Sequence, residues 1–213
     1  MRITKRLSWH KKSGDFAENF LRKKFFPSLG LKFRKIRKDK KGKIPDGWIL
    51  RGRQKIALAE IKLIKYSPNS DLKSVHRVTI DKAIQDAIAS AKKQLKDFTT
   101  TLPKILYLIL DDSFADSRSV LDAAFGPWIT VTRDGKTIFN SPRGSHPTKK
   151  AAQDNKIFGS WLSAIFCYLP DTEGYKLLLF KPQNPANVPD ELMPTEAIQE
   201  IWEYSETSAR KIK

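Results

Sequence analysis

Cysteine is almost absent. The 213-residue chain holds one, Cys167, so no disulfide can close within it, and its three histidines, His10, His76 and His146, lack the spacing of zinc ligands. Long apolar runs are missing too: residues 105–110 are far too few to cross a bilayer, and the first ten residues lack the apolar segment of a signal peptide. These absences predict a soluble, cytoplasmic protein with no membrane contact. No repeat or low-complexity tract interrupts the chain, and a 40% hydrophobic content suits one folded domain over residues 1–213. Acidic side chains are scarce in one place only. Residues 1–65 carry 21 Lys and Arg against five Asp and Glu, a local excess of +16 out of +17, while the other 148 residues balance 19 basic against 18 acidic groups. A solubilising face would explain the total but not its concentration, and no long amphipathic helix accompanies it to favour a membrane surface; the asymmetry predicts a nucleic-acid partner.

Periodicity predicts the elements. Residues 15–26 place Phe16, Ala17, Phe20, Leu21 and Phe25 on one helical stripe. Residues 31–38 read as a strand with a basic face, and residues 46–51 and 55–65 as two strands joined by Gly52-Arg53-Gln54. From 79 to 98 the apolar positions Ile80, Ala83, Ile84, Ala87, Ile88, Ala91, Leu95 and Phe98 keep helical spacing. Residues 104–110 form an apolar central strand and 118–125 a short helix. Strands at 128–133 and 136–139 flank Asp134-Gly135, a strong hairpin signal; an exposed loop follows at 141–150, then strands at 161–169 and 175–180, and a terminal helix near 195–211.

Chemistry enters at residues 56–64, where seven of nine residues are apolar and the exceptions, Glu60 and Lys62, are both charged. Side chains two apart on a strand share a face, so these two sit side by side. A hairpin centred on Arg53 sets Leu50 against Ile56, Trp48 against Leu58, and Asp46 against Glu60. Two carboxylates about 5 Å apart across a ladder repel unless a positive charge intervenes. A divalent cation meets that need, since Mg²⁺ takes one or two carboxylates together with waters and phosphate oxygens. The acid-x-Lys tripeptide alone carries nothing, because it occurs at Asp39, Glu60, Asp71, Asp134 and Asp154; only at Glu60 does it lie in an apolar strand with an Asp poised across the preceding one.

The pattern Ile44-Pro45-Asp46, a gap of 13 residues, then Glu60-Ile61-Lys62 resembles the PD-(D/E)xK nuclease superfamily, over roughly residues 13–112. The resemblance implies a restriction-endonuclease-like αβββαβ core, a mixed α/β sheet flanked by helices, elaborated at 113–213 by a β-hairpin and helical additions. It implies that Asp46, Glu60 and the carbonyl of Ile61 bind Mg²⁺, for which Mn²⁺ can substitute, and that Lys62 serves the attacking water. Glu18 matches a further acid that many members carry on the first helix. It equally fits a capping box with Asp15. Gln85 and Gln94 both fit an accessory polar position on the helix after the Lys strand.

The expected function is therefore a Mg²⁺-dependent DNA endonuclease, RNA being a second possible substrate, gripped by Arg34, Lys35, Arg37, Lys38, Lys41, Lys43, Arg51 and Arg53. A homodimer would supply two sites for duplex cleavage. Two other classes fit the same residues: a non-catalytic nucleic-acid-binding protein on the same fold, and a scaffold whose basic face meets an acidic protein. Blander readings also stand beside individual residues: Glu60 and Lys62 as a structural ion pair with Asp46 in a Pro45–Gly47 turn, Asp111-Asp112 as solvated strand-end acids rather than a second metal site, and His76 as a non-catalytic histidine. Trp48 suits the core and Trp9 either core or base stacking. Gly47-x4-Gly52 precedes Arg53-Gln54 rather than Lys-Ser or Lys-Thr, so no nucleotide cofactor is implied.

Overall fold

The structure, a computed structural model, describes residues 13–36, 44–65, 73–111, 116–125, 128–133, 136–142, 161–171, 174–182, 188–193, 198–204 and 209–213. Helix α1 (Ser13–Phe20) continues through a π-helical turn, Leu21–Phe25, into the short α2 (Phe26–Ser28). Three antiparallel strands follow: β1 (Leu31–Lys35), β2 (Gly47–Arg51) and β3 (Gln54–Lys65). The long α3 (Lys73–Leu95) crosses over to β4 (Lys104–Asp111), which lies parallel beside β3, the connection such a pairing requires. Next come α4 (Ser117–Phe125), a separate two-stranded hairpin of β5 (Trp128–Arg133) and β6 (Lys136–Pro142), then β7 (Ala164–Asp171) and β8 (Gly174–Pro182). A 3₁₀ turn at Asp190–Leu192 precedes β9 (Glu200–Tyr204) and β10 (Ala209–Lys211). The main sheet is mixed and eight-stranded, in the order β1-β2-β3-β4-β7-β8-β9-β10.

Alternation along the central strands splits the core into two layers. Leu58, Ile64, Leu106, Leu108, Leu110 and Cys167 meet Ile84, Ile88, Ala91 and Leu95 of α3, with Val120 and Leu121 of α4 behind. On the other face Ala57, Ala59, Ile105, Tyr107 and Phe166 meet Ala17, Leu21, Phe25 and Phe26. Phe26 stacks on Phe33 and meets Tyr107 edge to face, so a group of aromatic rings sits within this layer. Each such ring contributes about 1.5–3 kcal/mol on full burial.

Two expectations need correction. Residues 200–204 and 209–211 are strands rather than parts of a terminal helix. Ile201 packs into the α1 layer while Trp202 packs into the α3 layer, so both faces of β9 are occupied, and pairing alongside β8 overrides a composition that suits a helix. The long helix ends at Leu95, before Phe98, where Thr99, Thr100 and Thr101 and then Pro103 disfavour continuation. Residues 143–150 of the expected loop lie outside the described residues. No helix among the described residues is long and apolar enough to cross a membrane.

Candidate active site

The site is built where β2 meets β3. Trp48 stands opposite Leu58 as expected, but Leu50 pairs with Lys55 rather than Ile56, because Gly52 takes φ +60° and closes a two-residue turn with Arg53. A bulge then inserts one extra residue between Lys55 and Ala57 and restores the register toward the site. Gly47 ends the pairing, opposite Ala59 on one side and Lys35 on the other. It is no turn glycine. A Cβ there would lie 2.4 Å from Phe33 Cζ and 2.7 Å from the Arg34 carbonyl oxygen, so only glycine lets β1 approach β2 beside Asp46.

One residue earlier the ladder changes partners. Asp46 accepts a bond from Ile36 N–H at its carbonyl (3.0 Å), while its own N–H donates to Glu60 Oε2 (3.1 Å) and its carboxylate Oδ2 accepts from Ile61 N–H (2.9 Å). Carboxylates thus replace main-chain acceptors, and the two acids are brought together. Lys62 Nζ stands 2.6 Å from Glu60 Oε1 and donates to Gln94 Oε1 at 2.7 Å. Gln94 is anchored in turn by donating to the Ile44 carbonyl (3.2 Å), with Ser90, one turn earlier, at 3.4 Å. The chain between β1 and β2 therefore leaves and returns at the cluster, at Ile36 and Ile44.

Glu60 is fully buried. Burial, and then the negative charge of Asp46, push its pKa from 4.5 up to about 7, against the opposing pull of Lys62. Its Oε1 faces the Lys62 ammonium at 2.6 Å and takes no other partner among the described residues. A buried carboxylate set against a second carboxylate, with a single ammonium beside the pair, is a donor set that a divalent cation suits. Asp46, Glu60 and the Ile61 carbonyl are the atoms available to hold one. Among the described residues no three His, Cys, Asp or Glu side chains gather around a common point, so Glu18 does not complete the set. Instead it pairs with Lys35 Nζ at 2.7 Å, and α1 packs on the sheet face opposite to Glu60. The capping-box reading falls as well, since α1 begins at Ser13 and Asp15 lies within it.

Of the two glutamines, Gln94 joins the cluster and Gln85 makes no hydrogen bond to it. The basic residues separate. Arg34 and Arg53 are exposed; Lys35 and Arg51 are exposed and engaged by Glu18 and Glu191. Arg37, Lys38, Lys41 and Lys43 lie outside the described residues, as do Trp9, Asp112 and the side chains of His76 and Asp111. Trp48 is half-buried, edge-on to Phe98, as its core assignment requires. Ser90 and the Ile44 carbonyl were not singled out from sequence, and Gly47 figured there only as a turn residue and in a rejected phosphate-loop spacing. Only Ser90 carried a signal, its four-residue spacing from Gln94 on one helix.

Comparison of the chain with protein-family models, with curated proteins and with solved structures finds no match.

Proposed function

We propose that this chain is a divalent-metal-dependent nuclease acting on DNA, of PD-(D/E)xK type on a restriction-endonuclease-like core. The observation that carries the reading is the convergence of Asp46, Glu60 and Lys62 on one sheet face where β2 meets β3, with Gln94 of the following helix on Lys62. The succession α1, β1–β3, α3, β4 supports it, as does the concentration of positive charge in the segment that contains the site.

Mg²⁺ held by Asp46, Glu60 and the Ile61 carbonyl would supply charge neutralisation at a phosphodiester and a lowered pKa for water. The protein's own groups do the rest. Gln94 and Glu60 engage the Lys62 ammonium, so a positive charge is fixed beside the carboxylates, and of its three donors one is left over from these two partners. Such a group orients a water toward phosphorus and stabilises charge growing on the phosphoryl oxygens. Burial strengthens both effects by lowering the local dielectric.

A second reading rests on the reciprocal bonds themselves. With Glu60 accepting from the Asp46 N–H and Asp46 from the Ile61 N–H, the two carboxylates also serve as a structural lock in a binding protein that cuts nothing. Incubating the full chain with labelled linear, circular and branched DNA, and with RNA, in Mg²⁺, Mn²⁺ or EDTA separates the two. The nuclease reading expects metal-dependent cleavage that drops at least ~10³-fold in Asp46→Ala and in Lys62→Ala, about 4 kcal/mol of barrier, with binding retained. Binding without cleavage on every substrate supports the lock.

A further inference from the structure

Alternation sorts the basic side chains of the hairpin by face, and the two faces differ. Lys35 and Arg51 share the α1 face with Leu31, Phe33 and Ile49, and acids engage both, Glu18 and Glu191. Lys32 and Arg34 point the other way, toward the side of Trp48, Asp46 and Glu60. Both are exposed, and neither forms an ion pair among the described residues. Lys55 joins them because of the bulge: it pairs with Leu50 out of the site's register, and its Nζ lies 4.3 Å from the centroid of the Trp48 ring.

The cross-strand pairs arrange these groups in rows. Lys32, Leu50 and Lys55 form the outermost; Arg34, Trp48 and Leu58 the next; Ile36, Asp46 and Glu60 the last. Two residues of strand separate neighbouring rows, so along the strand direction the Arg34 row lies about 7 Å and the Lys32–Lys55 row about 13 Å from the carboxylate row. Helix α3 packs on β3 and β4, whereas α2 and the π-helical turn cover β1 from the opposite face; on the Trp48 side Leu50 is buried and Ile36 and Trp48 are half-buried, while Lys32, Arg34 and Lys55 stand exposed.

We infer that this face is the track for a nucleic-acid backbone, with Lys32 and Lys55 in one row and Arg34 in the next contacting its phosphates on the way to the carboxylate row. The inference rests on the nuclease reading for the track's destination. Complementary charge identifies the occupant: three exposed cations without acidic partners among the described residues lead from the sheet edge to a site suited to phosphodiesters. Trp48 serves here as a holder rather than a stacking platform. Its ring lies under Lys55 and its edge meets Phe98, so cation–π attraction keeps the ammonium on the face. Contacts of this kind bind without reading sequence. With one phosphate per ~3.4 Å of axis on each strand, they fall roughly two to four nucleotides from the reacting phosphate.

The test is binding of the full chain to fluorescein-labelled duplex and single-stranded DNA in EDTA, across a salt series. Lys32→Gln, Arg34→Gln and Lys55→Gln are combined in one variant; Arg22→Gln, Lys23→Gln and Lys24→Gln, equally exposed but on the helical layer of the other face, make the control of equal charge. Circular dichroism establishes that both variants fold. On duplex the track variant is expected to lower the slope of log affinity against log salt by about 2.7, at ~0.9 per contact, and to bind at least tenfold more weakly at 0.1 M salt, while the control changes the slope by less than about 1. Equal or greater loss in the control overturns the track, as does an unchanged slope in the track variant or a wild-type chain that binds neither DNA. Face-dependent binding without cleavage on any substrate sustains the track and overturns the nuclease reading alone.

Discussion

Strand β3 shows two different solutions on its two faces. Toward α1 it presents Ala57, Ala59, Ile61 and Leu63, small or apolar groups that pack under Phe25, Phe26 and their aromatic neighbours. Toward α3 it presents Leu58, then Glu60 and Lys62, then Ile64. One face is spent wholly on cohesion. The other interrupts a hydrophobic layer with a buried carboxylate whose charge is disfavoured by its surroundings, an arrangement that costs stability unless the site is used. A sheet can therefore keep chemistry and packing apart by nothing more than the parity of its residues.

Substitutions on the two faces should separate accordingly. Phe26→Ala on the aromatic side is expected to lower stability by about 3–5 kcal/mol, read by denaturant unfolding, with metal and DNA affinities of the folded protein unchanged; a loss of affinity at full folding would break the comparison.

The next effect is pH-dependent and belongs to the α3 side. Because folding raises the Glu60 pKa from 4.5 to about 7, the folded chain keeps a proton there that the unfolded chain has lost. The resulting stability is fully present below pH 4.5 and is lost as pH rises through about 7, to an upper limit of about 3 kcal/mol. Thermal melts from pH 4.5 to 8 should show this decline in the wild type and a flatter profile in Glu60→Gln. An equally steep decline in the variant would assign the effect to other groups.

Gly47→Ala should cost about 1–3 kcal/mol by overpacking. Its added methyl meets the Arg34 backbone as well as Phe33, so β1 must shift beside the site and cleavage should fall along with stability. Retained cleavage at full strength would show that β1 is free to give way. The smallest effect is expected from Gln94→Ala, a roughly tenfold loss of cleavage with little change in melting temperature. Lys62 then loses an anchor while the hydrophobic layer stays intact.

The site was more legible in the sequence than the periphery. Two charges in an apolar run, with an acid placed across a short hairpin, were enough to predict that Asp46 and Glu60 meet, and the expected pairing of Trp48 with Leu58 holds. The bulge was hidden, because turn length and register trade off against each other and only the positive φ of Gly52 decides between them. Glu18 was ambiguous for a different reason: sequence places it on a helix, but the layer on which that helix packs is a tertiary fact. The terminal strands were misread because residues 200–204 mix helix-favouring and strand-favouring side chains, and their partner β8 lies at a distance in sequence. Gly47 looked like punctuation after proline and aspartate, whereas the reason for it is the backbone of a neighbouring strand.

The exchange of main-chain acceptors for carboxylates at Asp46 and Ile61 has a spectroscopic consequence. Both amide protons point at oxygens of the site, so anything that draws those oxygens away, a proton on Glu60 or a bound cation, alters the two N–H bonds directly. In a ¹⁵N-labelled sample their resonances become paired reporters, moving together when the carboxylates are recruited and standing still when an ion binds elsewhere on the surface.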